Sequence, residues 1–347
     1  VEQYRAELGV ASWEIDFFGR IASLKEAALA QVLASEEARR AVQTSLVAAV
    51  ASTWLNLQTD EELLALTRST LATREESLRL VQMRFRQGVA SALDLRQAES
   101  LVATARVALA QQERQRALDT NALTLLLGKA PALALLESTA SPHAALADIP
   151  VGLPSDLLVQ RADVRQAEHN LRAANANIGA ARAAFFPRIS LTASAGTASG
   201  ALSGLFKDGT WGWSLAPQAL LPIFDAGRNR AALESAQAAR SMALAQYEKA
   251  IQTAFREVAD ALAGRATLAD QVSAQQAQAE AEAERLRLAD LRYRNGVASS
   301  LEVLDAQRSV FSAQQALAQT RLALRQNQVA LYKALGGGWA DQAPETD

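Results

Sequence analysis

The tract Arg292-Tyr293-Arg294-Asn295-Gly296-Val297-Ala298-Ser299-Ser300-Leu301 has a near-twin, Arg84-Phe85-Arg86-Gln87-Gly88-Val89-Ala90-Ser91-Ala92-Leu93, 208 positions earlier. Carried on at that offset, residues 84–128 and 292–336 agree at 18 of 45 positions and end alike on Leu127-Gly128 and Leu335-Gly336. The match also runs backwards, from Phe18-Gly19-Arg20 to Ala226-Gly227-Arg228. A chain that carries one unit twice must fold both copies alike, so every local reading has to hold at two places.

Each copy contains a long stretch without helix breakers. Residues 20–87 hold neither Gly nor Pro, and a single helix through them would be about 100 Å long. Val50, Leu57, Leu64, Leu71, Leu78 and Phe85 recur every seven residues, the spacing that keeps one seam against a neighbouring helix. The companion positions Thr53, Asp60, Thr67 and Arg74 are polar, so a narrow seam and a helical wall are expected in place of a thick core. Gly88 permits a reversal, and the Gly- and Pro-free residues 89–127 then run back antiparallel. The second copy repeats this, with a rod opening at Ala226-Gly227-Arg228, interrupted by Gly264, reversing at Gly296 and returning over 297–335.

Between the rods the period changes to two. Residues 3–17 alternate, with Tyr4, Ala6, Leu8 and Val10 on one face and a parity change before Trp13, Ile15 and Phe17, which points to a strand with a bulge near Ala11-Ser12. After a helix over 156–184, capped at Ser155-Asp156 and stopped by Phe185-Phe186-Pro187, Ile189, Leu191, Ala193 and Ala195 alternate with polar residues. A Gly- and Ser-rich loop, 196–210, then leads to a strand carrying Trp211, Trp213 and Leu215 and ending near Pro222. The repeat calls for a fourth strand before Val1. Four strands cannot close a barrel, so several copies of the chain are needed to complete a sheet, and about ten tilted residues is the length that crosses a bilayer. Trp13, Phe17, Phe185, Phe186, Trp211, Trp213 and Phe224 stand near strand ends, where an aromatic girdle meets the lipid surface. A small soluble sandwich with ordinary core aromatics stays open on the strands alone.

Composition removes other classes. A net charge of −2 with interspersed signs offers no face for nucleic acid, and the absence of cysteine removes disulfides, thiolate metal sites and cysteine nucleophiles. His143 and His169 have no second histidine at ligand spacing, and no phosphate loop, dinucleotide fingerprint or nucleophile elbow occurs. No catalytic residue, metal or cofactor is expected. No apolar run is long enough for a membrane-spanning helix.

The tract Gly152-Leu153-Pro154-Ser155-Asp156-Leu157-Leu158, with Ala167-Glu168-His169, Ala173-Ala174-Asn175-Ala176 and Ile178-Gly179-Ala180-Ala181-Arg182-Ala183-Ala184-Phe185-Phe186-Pro187, resembles the OprM/NodT-type lipoprotein branch of the TolC-like outer-membrane efflux proteins. So do the two reversal tracts, Tyr247-Glu248-Lys249-Ala250-Ile251-Gln252-Thr253 and the ending Leu331-Tyr332-Lys333-Ala334-Leu335-Gly336-Gly337-Gly338-Trp339. Two departures stand out: Gln160-Arg161-Ala162-Asp163 lacks the branch's proline after the arginine, and the branch's signal peptide, lipidated cysteine, first strand and first helix have no counterpart before Val1. The resemblance implies a mainly α chain with membrane β-strands. Long antiparallel helical hairpins would form an α-barrel, continuous with a β-barrel of twelve strands made by a homotrimer in the Gram-negative outer membrane. It implies an exit duct of a tripartite efflux system serving multidrug resistance, fed by an inner-membrane efflux pump through a periplasmic adaptor. The expected divisions are a first repeat over 1–127, a connector over 128–154, a second repeat over 155–338 and a disordered tail over 339–347. A non-conducting coiled-coil scaffold in the periplasm is the rival reading.

Site residues follow by position. The reversals at Gly88-Val89 and Gly296-Val297 resemble the family's periplasmic tips, where the adaptor docks; the reversal alone already accounts for the glycines. One turn on, Glu302 and Asp305 share a helical face and Asp94 matches them in the first copy. In a trimer these would be rings of carboxylates narrowing a cation-attracting pore, or else ordinary acidic residues favouring a helix start. Tyr293, Arg294 and Arg86 resemble contacts that hold the tip shut, with Phe85 lacking the hydroxyl of Tyr293.

Overall fold

The structure, a computed structural model, describes residues 2–131 and 160–337. The elements in chain order are β1 (Tyr4–Ile15), α1 (Arg20–Arg86), α2 (Ala92–Leu127), α3 (Ala162–Ala183), β2 (Arg188–Ser199), a short 3-10 turn (Leu202–Gly204), β3 (Trp211–Leu220), α4 (Arg228–Arg294) and α5 (Ser300–Ala334). The Ser155-Asp156 cap, nearly all of the 128–154 connector and the 339–347 tail lie outside the described residues. Two compact units result, Val1–Arg40 with Ala162–Thr253, and Ala41–Arg161 with Ala254–Asp347.

In the first unit β1, β2 and β3 form an antiparallel sheet in that order. Partners across an antiparallel ladder lie on one face, so the register defines the faces. Leu8, Ala195 and Trp213 stand in one row, as do Val10, Ala193 and Leu215, and Trp13, Leu191 and Pro217. The opposite face carries Glu7, Ser194, Ser214, Thr192 and Gln218. The register shifts between Val10 and Trp13, at the expected bulge, and the extra residue returns Trp13 to the apolar face. The sequence-based loop over 196–210 is shorter than expected: β2 continues through Gly196 to Ser199, since Gly196 pairs with Glu7 and Gly212 and an added Cβ would strike the β1 backbone at Ala6 and Glu7. Phe17 lies in the turn beyond β1, because the strand stops at Ile15. The helical part of this unit is built on small residues, Ala27, Ala30, Ala34, Ala173 and Ala176 being buried. An added Cβ on Gly179 of α3 would lie 2.5 Å from Ser23 Oγ of α1, a measure of how closely these helices approach.

In the second unit the helices hold a string of small apolar clusters. Val258, Ala261, Leu331 and Ala334 form one, Ala279, Ala313 and Leu317 another, and Ala289, Val303 and Ala306 a third. This is the thin wall expected from the seam, with one correction. The polar companions of the seam are buried as deeply as its leucines, with Asp60, Thr67 and Arg74 at 6%, 0% and 3% exposure beside Leu57 and Leu64 at 1% and 0%. The buried stripe is therefore broader and more polar than heptad counting suggests. Gly264 does not interrupt α4; Asn327 of α5 sits where its side chain would be and donates from Nδ2 to Ala261 O at 2.8 Å.

Both rods begin and end by the same devices. Gly19 and Gly227 have φ of 73° and 83° immediately before α1 and α4, and each of those helices is 67 residues long. At their ends Val89 N donates to Arg84 O at 2.8 Å and Val297 N to Arg292 O at 2.9 Å, the six-to-one bond of a Schellman close, with Gly88 and Gly296 left-handed.

Candidate functional site

Two places combine the chemistry singled out in the sequence: the apolar face of the sheet in the first unit and the hairpin ends in the second.

The sheet face is apolar and bare. Leu8, Val10, Trp13, Trp211, Trp213 and Leu215 are each more than half exposed, and every residue of β3 is exposed. About 25 cal/mol is lost for each square ångström of apolar surface left in water, so an uncovered row of this kind calls for an apolar environment. Along the strands Trp211 stands towards the loop end and Trp13 towards the helical end, where Phe17, Phe185, Phe186 and Phe224 are also exposed and Phe18 stacks on Phe186 at 4.8 Å. Below the strands Glu14 binds Arg20 and Arg188, each at 2.6 Å.

At the hairpin ends the two copies use matching residues differently. In the first, Ser91 caps α2: Asp94 N donates to Ser91 Oγ at 3.1 Å, and Asp94 Oδ2 accepts from Ser91 N at 3.0 Å, a complete capping box. Asp94 Oδ1 also accepts from Ser300 Oγ of the second hairpin at 2.6 Å. The bonds from Ser300 and Ser91 hold the Asp94 carboxyl below the usual carboxylate range. In the second copy Ser299 makes no side-chain cap, and Glu302, the counterpart of Asp94, reaches back to Arg292 at 2.6 Å. Asp305 is held by Arg285 at 3.1 Å and by Arg308 at 3.4 Å. Glu302 and Asp305 each have a guanidinium partner in their own chain, so the local field is less negative than the sequence alone implies.

Of the expected tip contacts, Tyr293 crosses between hairpins, but its partner is Arg84. The Arg84 Nη1 donates to the Tyr293 hydroxyl while its guanidinium lies 4.8 Å from the ring centroid. Arg294 pairs along its own helix with Asp290 at 2.7 Å, and Arg86 is exposed and pairs with no carboxylate among the described residues. Arg84 was missed because it reads as one of two arginines flanking Phe85 at a helix end; helical geometry sets Arg84 and Arg86 on different faces. Further contacts join the hairpins, among them Gln307 Nε2 to Ser77 Oγ at 3.2 Å and the Arg74 guanidinium over the Phe311 ring at 5.1 Å. At the outermost points Val89 and Val297 are 74% and 70% exposed beside Gly88 and Gly296.

The chain is 49% identical over 345 residues to the probable efflux pump outer membrane protein TtgC of Pseudomonas putida, covering 99% of this chain and 71% of that one. It is 49% identical to the outer membrane protein OprJ of Pseudomonas aeruginosa, covering 97% and 70%. A membrane protein from Pseudomonas aeruginosa superposes with a TM-score of 0.90 at 44% identity, over 97% of this chain and 82% of that one. The open state of the MtrE outer membrane channel of Neisseria gonorrhoeae does so with a TM-score of 0.85 at 41% identity, over 97% and 76%. The sequence profile of the outer membrane efflux proteins matches residues 1–129 and 153–337, which takes in both hairpins and all three strands: the chain belongs to the outer membrane efflux protein family.

Proposed function

We propose that this outer-membrane efflux protein is a trimeric exit duct, in which three copies close their sheets into one barrel and line up their helical hairpins as a tunnel. The observation that carries this reading is the sheet with two unlike faces. Its apolar face is covered by nothing among the described residues and fits lipid, while its polar face of Ser, Thr, Glu and Gln fits a water-filled lumen. A three-stranded sheet of this kind also leaves edges that further strands, those of other copies among them, have to pair. A soluble scaffold has no use for such a face.

In this reading the chain is two repeats, 1–127 and 155–338, joined by the 128–154 connector. The tips at Gly88-Val89 and Gly296-Val297 offer exposed valines to a periplasmic adaptor, which connects the duct to an inner-membrane pump. Solutes of the kinds named for the relatives, antibiotics and toluene, would pass through it. Glu302, Asp305 and Asp94 lie at the narrow end, and the Arg84–Tyr293 and Asp94–Ser300 bonds tie the two hairpins in the closed arrangement. Opening breaks them.

The test is conductance across a planar lipid bilayer, with the protein extracted from outer membranes. A small conductance with cation preference, shifted towards anions in Asp305→Ala because Arg285 and Arg308 lose their partner, is the expected result. A folded, detergent-extracted oligomer that never conducts would overturn the duct.

A further inference from the structure

Along the first hairpin α1 and α2 are joined by a ladder of opposite charges. Glu75 meets Arg106 at 2.8 Å, Arg68 meets Glu113 at 3.7 Å, and Glu61 meets Arg116. The next rung breaks the pattern, because it sets Asp60 of α1 against Asp119 of α2. Asp60 is 6% exposed, and its Oδ2 is buried with no hydrogen-bond donor among the described residues. It lines a polar groove of about 400 Å³ together with Asp119, Gln115 and, from α5, Gln319.

Two carboxylates cannot share such a place while both are ionised, and a hydrogen bond between two carboxyl groups requires a proton. The surrounding charges compensate Asp60 only in part. On α1 the neighbours are Glu61 and Glu62. On α2 they are Arg114 and Arg116, and Arg116 is already engaged by Glu61. From α5 Gln319 and Leu322 face the groove uncharged, and Arg321 is turned to Gln276 and, at 3.9 Å, to Glu62. Among the described residues, Asp119 accepts from Gln115 Nε2 at 3.2 Å to its Oδ2.

We propose that Asp60 and Asp119 form a proton-binding site, in which one proton shared between the two carboxyl groups clasps α1 to α2. Burial, then the hydrogen bond and the charge of Asp119, push the Asp60 carboxyl up to about 7. The clasp is closed while the proton is present and is lost at alkaline pH, where two adjacent carboxylates repel. A divalent cation is the poorer occupant. Ca2+ takes six to eight oxygens, whereas no third acidic or histidine side chain joins a metal-binding group among the described residues, and Asn56 Oδ1 is occupied by Gln326.

Infrared titration of the protein in lipid vesicles, as wild type, Asp60→Asn and Asp119→Asn, tests this. The wild type should lose a protonated-carboxyl carbonyl band with a midpoint near about 7. Asp60→Asn should lack that band, and Asp119→Asn should retain it at a lower midpoint, because the neighbouring charge is gone while burial remains. Thermal unfolding gives a second readout. A carboxyl whose folded value is raised binds its proton more tightly in the folded state, so wild-type stability should fall as pH rises from about 4 to about 7, and Asp60→Asn should remove that slope. Titration of every carboxyl in the ordinary range, or a band unchanged in Asp60→Asn, overturns the proposal. A midpoint driven down by millimolar Ca2+ with a gain in stability overturns it in favour of a metal site.

Discussion

Replacing Tyr293 by Phe removes one hydroxyl and leaves the ring under the Arg84 guanidinium. The lost hydrogen bond is charge-assisted but partly open to water, so its net worth is about 1 kcal/mol in each copy. Arg84→Met removes the hydrogen bond and the cation–π contact together, about 1.5–2 kcal/mol at a site of this exposure. One kilocalorie is a factor of about five in an equilibrium, and if three copies open together the closed state loses roughly a hundredfold in Tyr293→Phe. Open probability in single-channel records reads this directly. Tyr293→Phe should raise it strongly, Arg84→Met more so, and the double variant by no more than Arg84→Met alone, since both act on one contact. Fully additive effects, or a Tyr293→Phe channel as closed as the wild type, would refute the assignment of this contact to the closed tip.

Gly264→Ala should destabilise the second unit by about 1 kcal/mol even though Ala is the better helix former, because the methyl displaces Asn327; adding Asn327→Ala should restore the melting temperature. Asp94→Ala should cost about 1 kcal/mol at neutral pH through the lost cap. Because the Asp94 carboxyl is depressed in the fold, that stability is present above its unfolded value of about 3.9 and vanishes as pH falls through the lower folded value, so melting curves of wild type and variant should converge in acid. Arg74→Met should lie within about 1 kcal/mol of the wild type, because the buried guanidinium has no carboxylate partner among the described residues and its desolvation offsets the bond to Leu101 O and the Phe311 contact; a melting temperature lowered by ten degrees or so would contradict this.

Much of the fold was legible because it rests on local rules. The uninterrupted rods, the glycine reversals and the bulge at Ala11-Ser12 follow from spacing and breaker residues, and each rod and reversal could be checked against its twin. What the spacing could not supply is which polar residues are buried. Thr67 and Asp60 look like the wet edge of a seam, yet they are covered by neighbouring helices whose positions no heptad count contains. Gly196 reads as loop because its composition is that of a loop; its place in β2 is set by the ladders on both sides. At the tips Arg84 could not be read from the sequence as the partner of Tyr293, since the bond joins residues more than two hundred positions apart in separate hairpins. The duplication itself misleads there. Matching residues take unlike roles, Asp94 as a cap and Glu302 as an ion pair, and Ser300, which stands where the first copy has Ala92, donates to Asp94 across the hairpins.

The direct measurement is lipid access along β3. The chain has no cysteine, so a single one introduced by Gly212→Cys, Trp213→Cys, Ser214→Cys or Leu215→Cys carries a fluorophore at a known place. In vesicles, positions 213 and 215 should be quenched by a nitroxide on the lipid tails, and positions 212 and 214 by a water-soluble quencher. Loss of this alternation, or its reversal, would contradict a sheet whose apolar face meets the membrane and whose polar face lines a channel.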